Sequence, residues 1–366
     1  MFKNIYKGKK VLVTGHTGFK GSWLCSWLIE LGADVYGYSD KIPSSPSHFE
    51  ELNLSQDMTS VFGDVRDITS LKDFIEVHKP EVVFHLAAQA IVRSAYIKPL
   101  ETISTNVMGV ANILEVARQV DYITSIIIIT SDKCYENVEW TYGYRENDQI
   151  GGEDPYSASK GAAEVIASTY MRSYFKDEGV FVSTVRAGNV IGGGDWARDR
   201  LIPDAVRSWS ADSSLTIRNP CSTRPWQHVL EPLSGYLQVG SELISKSLKC
   251  KNQSFNFGPD STVNKTVDEV LKEMSKSWGN VKWETLDLKD NPKEAGLLKL
   301  SCDKAQHAIG WFPTLTFEET IEFTMSWYKM FYSSRAEFNA LDYTTNQINE
   351  YVRKAEDRKI QWATKN

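Results

Sequence analysis

Short apolar runs alternate with helical stretches through the first half of the chain. The runs of strand length are VLVT, DVYGYS, SVFGDV, EVVFHLAA, SIIIITSD and FVSTVRAGNVI. Residues 82–87 and 126–130 are continuously apolar, which is typical of parallel strands covered by helices on both faces. The segments with helical spacing that could cross between strands are 20–31, 69–78, 106–120 and 157–177. The pattern predicts an α/β fold built on a doubly wound parallel sheet.

After Arg186 this alternation gives way to loops marked by Gly, Trp and Pro, such as GGGDWARD and RNPCSTRPW. A helix at 229–247 and a strand FNFG at 255–258 are the elements we expect there. This half therefore predicts a smaller α/β substrate-binding lobe. The predicted boundaries are 1–186 for the sheet domain with a return segment at about 226–250, 187–225 and 251–335 for the lobe, and 336–366 for a C-terminal tail, expected to be helical.

Composition and charge narrow the class of ligand. The chain has 366 residues, 42% hydrophobic and 24% charged, enough to bury a full core in two lobes. Its net charge of -6 gives no bulk attraction to nucleic acid or anionic membrane, so we expect a small anionic ligand held locally.

The same survey gives expectations about location and metals. The polar start MFKNIYKGKK and the shortness of the run Ile126 to Ile129 predict no membrane span and a cytoplasmic location. Five widely spaced cysteines without a C-x-x-C pair predict reduced thiols rather than disulfides or a zinc site. Six scattered histidines predict no catalytic metal.

Glycines follow the first strand at regular spacing. Gly15, Gly18 and Gly21 form G-x-x-G-x-x-G between VLVT and a helix beginning near Phe19. Glycine there allows a tight turn and lets backbone N–H groups and the helix N-terminus approach a pyrophosphate. This context predicts a Rossmann-type dinucleotide-binding domain over residues 1–186.

Three later strand ends are expected to complete the dinucleotide site. Asp40 lies near the position from which an acid takes the adenine-ribose hydroxyls of NAD, although Ser39 is an alternative occupant of that position. We therefore predict NAD, with NADP less favoured. Asp64 and Val65 would flank the adenine, and Ala87 and Ala88 would keep the fourth strand open beneath the cofactor.

Tyr156 and Lys160 in PYSASK are four residues apart, so they share one helix face. Ser131 ends the strand IIIITS, where the carboxyl edge of a parallel sheet faces the ligand crevice. A phenol has a pKa of about 10, so Tyr156 could act as a base near neutrality only if Lys160 and the nicotinamide lower that pKa. Ser131 would hold the substrate oxygen between Tyr156 and the cofactor. A surface tyrosine and a core serine are the alternative interpretation.

These motifs carry a family resemblance. TGHTGFKG, HLAAQ, the TS at 130–131, PYSASK and the RAGNV at 186–190 together resemble the extended short-chain dehydrogenase/reductases that act on nucleotide-sugars, from about residue 8 to 330. The resemblance implies binding of NAD by a larger set of residues. Beyond those already named, this set comprises Thr17, Phe19, Leu86 and Gln89.

An acid after the serine distinguishes the 4,6-dehydratases of this family from its epimerases, which typically carry small residues there. The chain has Asp132, so the resemblance implies a dehydratase in which Asp132 protonates the departing hydroxyl at carbon 6. The usual glutamate that follows is replaced by Lys133. SDKCYEN, GGGDWARDRLIPD and RPWQHVLEPL resemble the branch that acts on CDP-glucose, where a lysine stands at that position.

The roles of these two residues leave alternatives open. Lys133 would be the base that removes the proton at carbon 5 only if its pKa fell from about 10.4 toward 7 to 8. Otherwise Lys133 orients the site through an ion pair with Asp132 or Glu136, and Asp132 or an intervening water takes the proton. Asp132 itself could be only a strand-end cap.

The remaining expectations concern the substrate. By family position Asn189 and Arg224 match residues that contact the diphosphate and nucleotide, while Gln89 and Arg93 point toward the sugar. His228 is a weaker candidate, as are Arg198, Arg200 and Arg218; each could equally be a surface charge or a structural group. Tryptophans 196 and 226 would stack on the base or pack the lobe.

Several rival functions share this fold. They are dTDP-glucose or GDP-mannose 4,6-dehydratase and UDP-sugar 4-epimerase, and Asp132 argues against the last. A non-catalytic dinucleotide sensor is a more distant alternative that the Tyr/Lys pair disfavours. The resemblance also implies a homodimer, possibly a tetramer, formed through the helix of Tyr156 and the preceding one, and a role in bacterial deoxysugar supply for surface polysaccharide such as lipopolysaccharide O-antigen.

Overall fold

The computed structural model describes residues 1–176, 179–279, 281–285 and 297–364. Its strands are β1 (Lys10–Thr14), β2 (Asp34–Ser39), β3 (Thr59–Phe62), β4 (Val82–His85), β5 (Ser125–Ile129), β6 (Phe181–Arg186), β7 (Val190–Ile191), β8 (Leu215–Ile217), β9 (Thr223–Arg224), β10 (Gln227–His228), β11 (Gln253–Asn256), β12 (Lys265–Thr266) and β13 (Trp283–Thr285). Its α-helices are α1 (Phe19–Glu30), α2 (His48–Glu51), α3 (Ile68–His78), α4 (Val92–Ile97), α5 (Pro99–Ile103), α6 (Gly109–Gln119), α7 (Pro155–Ser173), α8 (Leu201–Ser210), α9 (Leu230–Ile244), α10 (Val267–Trp278), α11 (Asp303–Ile309), α12 (Phe317–Ser333) and α13 (Ala340–Asp357).

Seven strands form one parallel sheet in the order β11-β6-β5-β4-β1-β2-β3. The order reverses between β1 and β4, where Thr14 pairs with His85 at the carboxyl ends of the two strands. A reversal of this kind opens a crevice because the following connections leave toward opposite faces. The predicted doubly wound sheet is confirmed, and its switch point lies at the glycine loop.

Helices cover both faces of the sheet. On one face α3, α6 and α7 pack around Leu71, Ile113 and Ala167. On the other, α1, α9 and α13 bury a cluster that includes Trp27 and Tyr351. The central strands are apolar on both sides for this reason, and each buried large side chain contributes about 1.5–3 kcal/mol to stability.

Short strand pairs and the helices α8, α10 and α12 build the second half of the chain, with β8 beside β13, β9 beside β12 and β7 beside β10. The predicted strand at 255–258 is observed at Gln253–Asn256, where it extends the large sheet next to β6. It therefore lies in the sheet rather than in the lobe segment 251–335, and the division into lobes otherwise stays a prediction. Residues 280 and 286–296 of that segment, residue 177 of the helix predicted at 157–177, and residues 365–366 of the tail lie outside the described residues.

The C-terminal tail is helical over α13, and it packs against the sheet domain. The Phe2 amide donates to the Trp362 carbonyl at 2.8 Å, and the two rings stack. Within the part of the chain that the structure describes, no helix combines the length and apolar character needed to cross a membrane.

Candidate active site

The glycine loop lies at the switch point of the sheet. Gly15 has a φ of +73°, and a Cβ placed on it would come within 2.7 Å of the Ala87 amide nitrogen. A Cβ on Gly21 would collide with the carbonyl oxygen of Gly15. Gly18 caps α1 and donates its amide to Gly15 at 3.1 Å. These contacts require glycine, and they leave the amino end of α1 open to a pyrophosphate, so the loop fits a dinucleotide.

The end of β2 separates the two candidates for ribose recognition. Ser39 is buried and shares a hydrogen bond of 2.9 Å with the His16 ring, and it accepts the Thr17 amide at 3.4 Å. Asp40 is exposed, and its carboxylate lies 3.4 Å from the Lys41 ammonium. Asp40 is therefore the side chain available for ribose hydroxyls, because Ser39 is occupied by the loop.

The other predicted cofactor residues lie at or after the ends of strands β3 and β4 and at the start of α1, and they differ in the contacts that hold them. The Leu86 and Ala87 amides donate to the backbone and side-chain oxygens of Thr14, which ties the fourth strand to the glycine loop. Asp64 is held by Arg66 in a bidentate ion pair, whose hydrogen bonds keep the Asp64 pKa below its ordinary value. Of the remaining predicted cofactor residues, Phe19 and Ala88 are half-buried and Val65 is buried.

Gln89 makes local contacts. Its side-chain amide donates to the Ile91 carbonyl and to the Thr102 hydroxyl, and its oxygen accepts the Ile91 amide at 2.6 Å. The structure therefore places Gln89 as a brace of the segment after β4, and contact with a cofactor or sugar would require these bonds to change.

Ser131, at the end of β5, begins the turn that carries the predicted acid. Its hydroxyl donates to the Asp132 carboxylate at 2.9 Å and accepts the Lys133 amide at 3.2 Å. Asp132 is buried, and its carboxylate packs so closely on Gly188 that a Cβ there would overlap it. The turn therefore presents a hydroxyl and a carboxylate side by side at the carboxyl edge of the sheet.

Tyr156 is brought to this turn by the start of α7. Asp154 caps the helix by accepting the amides of Tyr156 and Ser157, and Pro155 supplies a first residue with a helical φ. Burial raises the Tyr156 pKa to about 12, while a side-chain hydrogen bond with Ser131 lowers it and the charge of Asp132 raises it further. Without a bound cation the phenol is therefore neutral near pH 7.

Lys160 lies one turn along the same helix and is buried. Its ammonium donates to the Ile129 carbonyl at 3.3 Å. Burial lowers its pKa to about 8, and the neighbouring Glu164 opposes that shift. The predicted group of Ser131, Tyr156 and Lys160 is thus brought together, with Asp132 beside it.

Lys133 is half-buried at the turn. Among the described residues its ammonium has no hydrogen bond and no ion pair, either with Asp132 or with Glu136. The ion-pair alternative for Lys133 is therefore not what the structure displays, and the ammonium is available to a substrate.

The predicted substrate residues are dispersed. Arg93 pairs with Asp199 at 2.8 Å near the cleft mouth. Asn189 has a φ of +49° and its carbonyl accepts the Gln227 amide at 3.3 Å, and the half-buried Arg224 donates to the Thr223 carbonyl at 2.8 Å. Contact of Arg93, Asn189 or Arg224 with a nucleotide-sugar therefore stays a prediction.

His228 is placed differently. It is 0% exposed and packs edge-on against the rings of Trp23 and Phe323, and burial lowers its pKa to about 3. The structure places this imidazole in the packed interior rather than on the cleft surface. Sequence alone could not reveal this, because both rings come from distant segments.

Lys20, in the first turn of α1 between Gly18 and Gly21, is a residue that the motifs did not point to. Burial lowers its pKa to about 8, the charges of Arg200 and Lys160 lower it further, and those of Asp132 and Asp195 oppose them. Its ammonium is therefore close enough to Lys160 and Asp132 to interact with their charges. The only available signal was a charged residue inside a loop of small and aromatic residues. Among the described residues, no cluster of three His, Cys, Asp or Glu has the arrangement of a metal site.

Comparisons with known proteins identify the family and the fold. The family model described as GDP-mannose 4,6 dehydratase matches residues 12–324. A CDP-glucose 4,6-dehydratase from Salmonella typhimurium is 50% identical over 332 residues, 89% of this chain and 92% of the relative. Two solved structures share the fold. These are a dTDP-glucose 4,6-dehydratase from Bacillus anthracis in complex with NAD (TM-score 0.74, 22% identity, 88% of this chain and 97% of the other) and one from Streptomyces venezuelae with NAD bound (TM-score 0.73, 21% identity, 90% and 99%).

Proposed function

Because the chain belongs to the GDP-mannose 4,6-dehydratase family of extended short-chain dehydrogenase/reductases, we propose that it converts CDP-D-glucose to CDP-4-dehydro-6-deoxy-D-glucose. The reaction is an oxidation, an elimination of water and a reduction within one sugar, and it makes the protein a hydro-lyase. The observation that carries this proposal is the side-by-side placement of Ser131 and Asp132 next to Tyr156.

NAD is the proposed cofactor. The glycine loop would hold its pyrophosphate, with Thr17 and Phe19 alongside, and Asp40 would bind the adenine ribose. When bound, NAD would take a hydride from carbon 4 of the sugar and return it to carbon 6. The exposed carboxylate of Asp40 would repel the extra phosphate of NADP, which favours NAD.

Tyr156 would remove the proton from the 4-hydroxyl, and Ser131 would hold that oxygen by a hydrogen bond. The Tyr156 pKa of about 12 means that a nearby positive charge must stabilise the phenolate, and Lys160, on the same helix face, would supply one. The resulting ketone acidifies the proton on carbon 5.

Elimination would then use the turn after β5. Asp132, fixed by Ser131 at 2.9 Å, would deliver a proton to the departing 6-hydroxyl. Lys133, without a partner among the described residues, would take the carbon 5 proton or hold the water that takes it.

The nucleotide is proposed from the 50% identical relative and from the loop sequences around residues 189, 198 and 224, where Asn189 and Arg224 would contact the nucleotide and diphosphate and Arg93 the sugar. Arg93 would have to exchange Asp199 for substrate. A dTDP-glucose or GDP-mannose dehydratase has the same catalytic requirements, so the base is the property that needs a direct test.

We further propose a homodimer. The segment after β4 carries apolar side chains that are strongly exposed, Ile97 at 78% and Leu100 at 81%. Met108 and, on the adjacent α7, Val165 are about half exposed. A group of exposed apolar side chains on neighbouring helices is typical of a protein interface. We also propose that the protein acts in the cytoplasm. Its product would supply deoxysugar for a surface polysaccharide such as lipopolysaccharide O-antigen.

A panel of CDP-, dTDP-, UDP- and GDP-sugars tests the function. The purified protein with NAD should form a 4-keto-6-deoxy product from CDP-glucose, detected by its absorbance in alkali and by mass loss of one water, without accumulation of NADH. Turnover of another nucleotide-sugar alone would reassign the substrate. A 4-epimer without water loss would contradict the dehydratase, and binding of NAD without any product would favour the sensor.

A further inference from the structure

Glu164 is a buried carboxylate on α7, one helical turn beyond Lys160. It is 4% exposed and accepts hydrogen bonds from four donors. Arg186 supplies two of them, at 2.8 Å each, and the hydroxyls of Thr184 and Thr130 supply the others. A carboxylate can accept about four such bonds, so its hydrogen-bonding capacity is satisfied within the protein.

Arg186 extends this network to the segment after the catalytic turn. Its guanidinium donates to the Tyr135 hydroxyl at 2.6 Å and to the Glu146 carbonyl at 3.0 Å. It also lies 4.9 Å from the centre of the Tyr135 ring. Tyr135 in turn donates to Asn256 on β11 at 2.8 Å. The network therefore joins α7, β5, β6 and β11 beneath the site.

The network holds both ends of the turn that contains Ser131 and Asp132. Thr130, immediately before the turn, donates to Glu164, and Tyr135, immediately after it, accepts from Arg186. We propose that Glu164 is a positioning residue: with Arg186 it fixes this turn against α7, and it places a negative charge four residues beyond Lys160 on the same helix face. The inference rests on the proposed function only for the chemistry that the turn performs.

Among the groups that face Lys160, Glu164 is the one that carries a negative charge near pH 7. The titratable groups that face Lys160 are Glu164 on α7, Cys134 on the turn, Lys20 on α1 and His85 on β4. Burial raises the Cys134 pKa and lowers the His85 pKa, so both are neutral near pH 7, and Lys20 is itself a base. Glu164 is thus the negative charge that opposes the burial of the ammonium.

Glu164 itself stays ionised. Burial alone would raise its pKa, but the charge and hydrogen bonds of Arg186 and the hydroxyls of Thr130 and Thr184 hold the pKa below its ordinary value. A buried ion pair is weak evidence for stability, because hydrophobic residues of similar volume can often replace both partners without loss. Its placement around the catalytic turn therefore calls for a functional explanation.

The test measures the ionisation of Lys160 without substrate. Lysine side chains labelled with 13C at the ε carbon are titrated by NMR in the full-length protein, and the signal absent from Lys160→Arg identifies Lys160. Glu164→Gln should lower the Lys160 pKa by about one unit. Glu164→Asp retains the charge and should restore most of the shift. Thr184→Val removes one hydrogen bond but no charge, and should leave the titration in place.

The paired variant Glu164→Met/Arg186→Met covers the case in which Glu164→Gln does not fold, because it leaves no unpaired buried charge. It should also lower the Lys160 pKa. An unchanged titration in folded Glu164→Gln or in the paired variant overturns the proposal. If the enzyme turns over CDP-glucose, the alkaline limb of kcat/KM should move to lower pH by the same amount. If the enzyme does not turn over CDP-glucose, the NMR titration still tests the role of Glu164. Failure of the proposed function and failure of the Glu164 proposal can therefore be told apart.

Discussion

The Ser131 hydroxyl donates a hydrogen bond of 2.9 Å to the Asp132 carboxylate, so the two side chains expected to act on different carbons of the sugar touch each other. To donate a hydrogen bond to the 4-oxygen, the hydroxyl would have to turn away from Asp132. The Asp132 carboxylate would then lose this partner and be free to contact the departing 6-hydroxyl.

Replacement of Asp132 by Asn separates the first step of the reaction from the second. The amide has the same shape but no proton to deliver, so elimination should slow by roughly 10²–10⁴-fold, while oxidation at carbon 4 is nearly retained. Absorbance at 340 nm after mixing with CDP-glucose should therefore rise and persist. Full turnover by Asp132→Asn would contradict the assignment, and Asp121→Asn, at an exposed position before β5, serves as a matched control.

Replacement of Lys133 by Met tests the base. Because Lys133 has no partner among the described residues, its loss should leave the fold intact and the melting temperature within a few degrees. If Lys133 removes the carbon 5 proton, exchange of that proton with deuterated water should fall by at least about tenfold. Normal exchange in Lys133→Met, read by mass spectrometry of the product, would exclude the base role.

The sheet and the glycine loop could be predicted from the sequence because both are local patterns. Apolar runs identify strands, and the spacing of Gly15, Gly18 and Gly21 identifies the loop. Element ends were less accurate. The helix expected at 106–120 is preceded by a π-helical stretch at Ser104–Met108 and is α-helical from Gly109.

The site was predictable only as far as its residues belong to motifs. Ser131, Tyr156 and Lys160 were found because each has a fixed place on a strand end or helix. The ion pair of Glu164 with Arg186 joins an α-helix to a strand, and the burial of His228 depends on Phe323. Partners this distant in sequence are determined by packing, which one sequence does not reveal.

The exposed apolar surface before α6 gives a prediction about assembly. Leu100 is 81% exposed, and Leu100→Asp would place a charge at the centre of the proposed dimer interface, where an unpaired charge is costly. Sedimentation velocity should show a dimer for the unmodified protein and a monomer for this variant. Leu248→Asp is the control, since Leu248 is 76% exposed on another part of the molecule. If both variants sediment as dimers, the interface lies on another surface.

Glu231, a buried carboxylate far from the chemistry, predicts a pH dependence of stability. Its oxygens accept the amides of Thr314 and Leu315 and the Tyr351 hydroxyl, so it links α9 to α13. Burial raises its pKa to about 7 from an ordinary 4.5, and these hydrogen bonds only partly oppose the shift. The folded protein therefore binds this proton more tightly than the unfolded chain does.

It follows that the contribution of Glu231 to stability is fully present below about pH 4.5 and is lost as the pH rises through about 7. The free energy of unfolding should fall across this window by on the order of 3 kcal/mol relative to Glu231→Gln, which has no proton to lose. Urea unfolding at pH 5, 6, 7 and 8 measures the difference. Glu242→Gln, on the same helix but partly exposed, should follow the unmodified protein. Parallel curves for Glu231→Gln and the unmodified protein would mean that this carboxyl does not titrate between pH 5 and 8.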